Sequence, residues 1–391
     1  MRFTNYAQLA ASGIYIEDVL PPEALRLEGM RRSLLDYFHV HGYQLVMPPM
    51  LEYVESLLSG TGHDLDLATF KLVDQLSGRH MGVRADITPQ VARIDAHLLN
   101  RQGVARLCYA GSVLHALPAG LTKTREPFQV GAELYGHAGL ESDIEIQQLM
   151  IAALKLIGVG DVHLDIGHPA IFRCLLNESR CDAQRAHELF HATQSKDIPA
   201  LKQATHGLSL QAAFLTLPTL YGASDILKRA RVQLPRLPQI DAALTDLERL
   251  TATMGANGVQ LSIDLAELGG FNYESGIVFA AFAKGSPDAV ARGGRYDEVG
   301  KAFGRARPAT GFSLDLKPLL GLAPQAALPA GIVAPAVAGD SALQAKMTAL
   351  RKAGEVVIQE LPGHEAHRAE LGCDRQLEKI AGQWQIVPLA K

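Results

Sequence analysis

Two side chains four residues apart open the chemical reading of this sequence. Phe128 to Gly136 has the pattern of a strand, so Gln129 and Glu133 project from one face of it. An amide and a carboxylate aimed the same way suit two polar groups converging on one small ligand. The glycine pair Gly293 and Gly294 lets a backbone approach such a ligand closely. A second pattern, His187-Glu188-Leu189-Phe190-His191, fits H-E-x-x-H, which on a helix turns two histidines to one side for zinc. No third ligand follows at a useful spacing, because His206 lies beyond a break at Pro199. The segment therefore reads as a surface helix carrying scattered histidines, and no metal is expected. Cys108, Cys174, Cys181 and Cys373 form no C-x-x-C pair, which argues against a zinc knuckle or a redox motif.

The elements that must position these groups follow from periodicity. Pro22 to His41 repeats its apolar residues at helical spacing and stops at Gly42, and Tyr43 to Met47 is a short strand ended by Pro48-Pro49. Phe70 to Gln75 and His80 to Asp86 read as a hairpin turning at Ser77-Gly78. Thr88 to Leu99 is helical, with Thr88 as N-cap and Pro89 in the first turn. Ala105 to His115 is a strand, Asp143 to Leu156 a helix, and residues 171–255 a run of short helices that reads as an insertion. Strands return at Val259–Leu265, Ser275–Ala283 and Ala289–Ala291. The Ala-, Pro- and Gly-rich stretch Leu319–Pro329 is the linker, placing one domain at 1–320 and a small α/β domain at 321–391. That second domain is expected to end in a helix near Asp374–Ile380 and a strand at Gln385–Pro388. Segregated helices and antiparallel-looking strands make the main domain α+β.

With 391 residues, 48% hydrophobic and 20% charged, the chain is composed like an ordinary globular protein. The formal net charge of −4 lacks the basic footprint of a nucleic-acid binder. There is no apolar stretch of ~18 residues and no signal-peptide pattern at the start, so neither a membrane span nor export is expected. Isolated cysteines fit a reducing compartment, and a cytoplasmic location is expected.

Four separated blocks resemble the class II aminoacyl-tRNA synthetases, and within them histidyl-tRNA synthetase. HGYQLVMPPMLE (His41–Glu52) is similar to the dimer-forming motif of that class. VRADITPQVAR (Val83–Arg93) and REPFQVGAELYG (Arg125–Gly136) resemble its second-motif region. GGFNYESGIVF (Gly269–Phe279) looks like the histidine-specific loop, and ARGGRYDEV (Ala291–Val299) with PATGFSLDL (Pro308–Leu316) resembles the third motif. The blocks occur in the family's order across roughly residues 15–320. The resemblance implies an antiparallel sheet flanked by helices and a pocket for histidine. In that pocket Asp86, Thr88 and Gln129 would hold the amino group and Glu133 would reach the imidazole, with Tyr273 and Tyr296 lining it. Glu274 stands where the family has a second tyrosine on the imidazole, which implies either a pocket that favours the imidazolium form or one that has drifted to another ligand.

The departures bear on activity. Forming an adenylate needs cations around the ATP phosphates. In SVLHALP (Ser112–Pro118), Leu114 and Ala116 occupy the places of the family's arginine and acid. Pro318 replaces the arginine that ends the third motif, and Gly269 replaces the histidine-loop arginine. Lys123, Arg125 and Lys317 are near in sequence, but a lysine does not reproduce a bidentate guanidinium. The tail after residue 329 is also shorter than the family's anticodon-binding domain. Synthetase-like chains lacking these arginines form complexes with a short-form ATP phosphoribosyltransferase. The resemblance therefore implies no catalytic residue and no cofactor. It implies a short-form catalytic subunit as partner, L-histidine as effector and a homodimer core within a hetero-oligomer, with no nucleic acid and no membrane. The competing expectations are an active histidyl-tRNA synthetase, which needs the missing arginines, and an inert synthetase-like module binding tRNA or another protein.

Overall fold

The computed structural model describes residues 16–59, 63–118, 124–269, 274–324 and 330–389. The chain divides into two compact units, Met1–Pro324 and Gln325–Lys391. The strands of the first are β1 (Gln44–Leu45), β2 (Leu51–Tyr53), β3 (Phe70–Val73), β4 (His80–Val83), β5 (Ala105–Ser112), β6 (Phe128–Tyr135), β7 (Val162–Gly167), β8 (Tyr221–Gly222), β9 (Gln260–Asp264), β10 (Val278–Ala283), β11 (Ala291–Arg295) and β12 (Ala309–Asp315). Nine of them form one sheet in the order β1-β5-β6-β12-β11-β10-β7-β9-β8. Its pairs are antiparallel except β1 with β5 and β7 with β9. A small antiparallel sheet, β2-β4-β3, stands beside it.

Alternation along β6 sorts the two faces of the large sheet. Val130, Ala132 and Leu134 belong to the main core, with Leu34 and Phe38 of helix Pro21–Val40 and Ile146, Met150 and Leu154 of helix Leu140–Leu156. Each fully buried aliphatic or aromatic side chain there contributes about 1.5–3 kcal/mol. On the opposite face Tyr135 joins Leu107 and Tyr109 of β5, Tyr296, Ala309, and Ile87 and Val91 from the segment that crosses this face. Gln129, Gly131 and Glu133 project on the same side as Tyr135. The candidate site residues thus sit on the sheet face opposite the long helices.

Two buried ion pairs brace the sheet, Arg295 with Asp143 on the side of the long helices and Arg307 with Asp95 on the other. The Arg295 guanidinium donates to Asp143 Oδ2 at 2.7 Å and to Ser142 Oγ at 2.8 Å. Arg307 donates to Asp95 Oδ1 at 3.0 Å and to the Arg101 carbonyl at 2.9 Å. Leaving either partner alone would strand a buried charge, which costs several kcal/mol.

The helix expected over Thr88–Leu99 is α-helical through Arg93 and then widens into a π-turn, Ile94–Leu99. Thr88 does not cap it: Ile87 holds the N-cap position without a side-chain cap. The strand expected at Ala289–Ala291 runs instead through the glycine pair, as Ala291–Arg295. The stretch from 171 to 255 is helical, running from Ala170–Ser179 to Pro238–Ala256. His187 and His191 stack edge to face at 4.3 Å, and no cluster of three metal-ligating side chains occurs among the described residues.

The second unit holds the four-stranded sheet β14-β13-β15-β16, built from β13 (Gly331–Ala334), β14 (Val357–Gln359), β15 (Cys373–Ile380) and β16 (Gln383–Pro388), with helix Ser341–Lys352. β15 is the segment expected to be helical. Its residues are good helix formers, but Ala381 (φ 48°) and Gly382 (φ 81°) close a tight hairpin onto β16, and β13 pairs along its other edge. Tertiary pairing overrides local propensity here. Among the described residues no helix is long and apolar enough to cross a membrane.

Candidate functional site

Glu133 lies in the middle of β6, between β5 and β12, and is essentially inaccessible at 1% exposure. Three hydroxyls converge on its carboxyl. Tyr109 donates to Oε1 at 3.1 Å, Thr88 donates to Oε1 at 3.2 Å, and Tyr296 donates to Oε2. Tyr296 also contacts the Tyr135 hydroxyl at 3.3 Å, and the two rings meet edge to face. Burial pushes the Glu133 carboxyl up to about 8; the Tyr296 hydrogen bond opposes this and the Asp86 charge adds to it. At that value the carboxyl keeps its proton at neutral pH.

This crowding depends on missing side chains. Gly311 pairs with Glu133 across β12, and a Cβ there would overlap the Glu133 carboxylate. Gly131 pairs with Tyr109, and a Cβ there would overlap the phenol ring. Gly293 similarly has no room beside the Gly311 carbonyl and the Phe279 ring.

The Asp86–Thr88 segment is tied down from β6. The Gln129 side-chain amide donates to Asp86 Oδ1 at 2.8 Å and its oxygen accepts from Ile87 N at 2.9 Å. Thr88 N donates to the same Asp86 oxygen at 3.0 Å. A cavity of about 250 Å³ opens above, lined by Asp86, Thr88, Glu133, Glu274 and Tyr296. Gln129 stands behind Asp86 rather than in the lining. Tyr273 lies outside the described residues.

Sequence reasoning missed Tyr109, Glu267, Arg292 and Gly311. Tyr109 could have been found from the period of β5; Arg292 and Gly311 needed the register of neighbouring strands, and Glu267 lies in the loop after β9. Glu267 Oε1 accepts from Gly269 N at 2.8 Å. Glu274 is buried, and burial with the nearby Glu267 charge holds its carboxyl well above the usual range, against the pull of Arg292 and Arg173. Its Oε2 has no hydrogen-bond partner among the described residues.

The positions of the absent arginines look different. Leu114 N donates to the Arg84 carbonyl at 3.0 Å, and Ala116 N to the Ala68 carbonyl at 2.7 Å. The nearby cations are held elsewhere. Arg125 donates to the carbonyls of His115 and Ala116 at 3.0 and 2.9 Å, and Lys317 pairs with Glu126 at 3.5 Å. Lys123 lies outside the described residues.

Comparison with known proteins places the chain in a family. The histidyl-tRNA synthetase family matches residues 15–319, and the ATP phosphoribosyltransferase subunit HisZ C-terminal domain matches residues 329–387. An ATP phosphoribosyltransferase regulatory subunit of Ralstonia nicotianae is 59% identical over 375 residues, covering 95% of this chain and 96% of the relative. One of Nitrosospira multiformis is 55% identical over 378 residues, covering 95% and 96%. Among solved structures, an ATP phosphoribosyltransferase regulatory subunit/histidyl-tRNA synthetase from Bacillus halodurans C superposes with a TM-score of 0.80 at 26% identity, over 91% of this chain and 94% of that one. Histidyl-tRNA synthetase of Nostoc sp. PCC 7120 shares the fold, with a TM-score of 0.74 at 18% identity over 95% of both chains.

The fold and the family match over residues 15–319 define a class II, histidyl-tRNA synthetase-like protein with a mixed, mainly antiparallel sheet and a small α/β C-terminal domain. Within that class the chain belongs to the ATP phosphoribosyltransferase regulatory subunits.

Proposed function

We propose that this chain is the non-catalytic partner of a short-form ATP phosphoribosyltransferase catalytic subunit, that it is required for the first step of histidine biosynthesis, and that it senses L-histidine through the Glu133 pocket. One observation carries the reading. The carboxyl and hydroxyl groups suited to an amino acid are assembled around a cavity, while the places of the phosphate-binding arginines hold Leu114, Gly269 and Pro318. Keeping the ligand site without the means to activate the ligand is the profile of a sensor. Sensing then requires that histidine bind one state of the assembly more tightly than another. A homodimer core is supported by β1, an edge strand whose Leu45 is exposed, with Met47 exposed just beyond it.

The test is a phosphoribosyltransferase assay with a short-form catalytic subunit, with and without this chain, across a histidine titration. Activity is expected only with both chains, falling as histidine rises. Activation insensitive to histidine would keep the partnership and remove the sensor; no activation would sink the proposal.

A further inference from the structure

An amino acid brings three groups into the pocket, and the residues described so far account for two. Asp86 suits an ammonium and Glu133 an imidazole, but neither receives a carboxylate. A carboxylate entering a cavity lined by Asp86, Glu133, Glu267 and Glu274 meets four acidic side chains, and a buried charge needs an opposite partner. The histidine-loop position offers none, since residue 269 is glycine and its N–H is engaged by Glu267.

Among the described residues lining the cavity, Arg292 is the single basic side chain. Strand register fixes where it points. Glu133 pairs with Gly311, and Gly311 pairs with Gly294. One step along the same face, Gly131 pairs with Ser313, Ser313 with Arg292, and Arg292 with Ala280. Residues two apart on a strand share a face, so the Arg292 side chain rises from the surface that carries Glu133. Two strand spacings and two residues put the two Cα atoms roughly 12 Å apart. The side chains of Ser313 and Ala280 on either side are small.

Arg292 also stands out within its own strand. It lies in the interior of the sheet, between buried Ala291 and the close-packed glycine pair, yet it is exposed. Among the described residues no hydrogen bond or ion pair holds its guanidinium. It is near enough to Glu274 to lower that carboxyl's pKa, yet the two form no ion pair.

We propose that Arg292 is the carboxylate anchor of the pocket, a binding residue that holds the α-carboxylate of the bound amino acid and makes the site select it over analogues without one. The proposal rests on the reading that the cavity holds histidine. A guanidinium grips a carboxylate through two parallel hydrogen bonds, which a lysine does not reproduce.

Calorimetric titration of the full chain, alone and with its catalytic partner, tests this with L-histidine, L-histidinol and ATP as probes. The variants are Arg292→Gln and Arg292→Lys, with the melting temperature of each ligand-free chain checking its fold. The wild type is expected to bind histidine at least roughly tenfold tighter than histidinol, whose carboxylate is replaced by an alcohol. Arg292→Gln should lose that preference by weakening histidine alone, and Arg292→Lys should retain part of it. Equal wild-type affinity for histidine and histidinol would overturn the anchor and leave the histidine pocket standing. Arg292→Gln weakening both ligands alike would make Arg292 structural and also overturn it. ATP binding that disappears in Arg292→Gln while histidine binding persists would assign the residue to phosphate instead. Absence of histidine binding by the wild type in either form would bring down the pocket itself, and the anchor with it.

Discussion

The Glu133 side of the sheet face and the strip holding Leu114, Ala116 and Pro318 share one scaffold and differ in what their polar groups do. Around Glu133, three hydroxyls and two glycines hold a carboxyl in a fixed place facing a cavity. Along the other strip the cations that remain are turned away, Arg125 onto backbone carbonyls and Lys317 onto Glu126. The first region gathers its polar groups around a cavity. The second has given its charges to the protein itself. On the proposed reading, binding and activation of an amino acid rest on different side chains of this fold and are separable.

The largest effect that could break the comparison is chemical turnover. With histidine and ATP, this chain is expected to exchange pyrophosphate at least ~10⁴-fold more slowly than an active histidyl-tRNA synthetase, since losing even one such group costs ~10²–10³. Exchange at a comparable rate would show that the second region still works. Next in size is Gly311→Ala. The new methyl group would displace the Glu133 carboxylate, and histidine affinity measured by calorimetry should fall about 100-fold. Unchanged affinity would mean that the carboxyl is not held where the ligand needs it.

The smallest effect sharpens the contrast through pH. Unfolded, Glu133 loses its proton near 4.5; folded and ligand-free, it keeps it to about 8. Between those values only the folded chain holds the proton, so raising the pH favours unfolding. This contribution is complete below 4.5 and lost by pH 8. Between pH 6 and 7.5 the wild type should lose up to about 2 kcal/mol relative to Glu133→Gln in urea titrations. Parallel stability curves for the two proteins would contradict the raised pKa.

Much of this was legible in the residues, for reasons that can be named. Gln129 and Glu133 share a face because a strand has period two, and no tertiary information is needed to see it. The absent arginines were visible as Leu114, Gly269 and Pro318 once the blocks were aligned by resemblance. Thr88 shows where local reading stops. Its type and its place before Pro89 describe a helix cap, yet its hydroxyl reaches Glu133, 45 positions along the chain. Arg292 was hidden for a similar reason, since its neighbours in sequence are a glycine pair and its partners are Ser313 and Ala280. Residues 373–380 misled because nothing local announces that Ala381 will adopt a left-handed turn.

The helix that begins at Thr88 ends in the π-turn carrying Asp95, and Asp95 is bolted to Arg307 just ahead of β12. From there the chain runs to Gly311, across to Glu133, and through a hydroxyl back to Thr88. Mechanically this is a closed linkage with a rigid strut on each side. The start of β12 is thus tied to Thr88 by two routes, one through the helix and Asp95 and one through Gly311 and the Glu133 carboxyl.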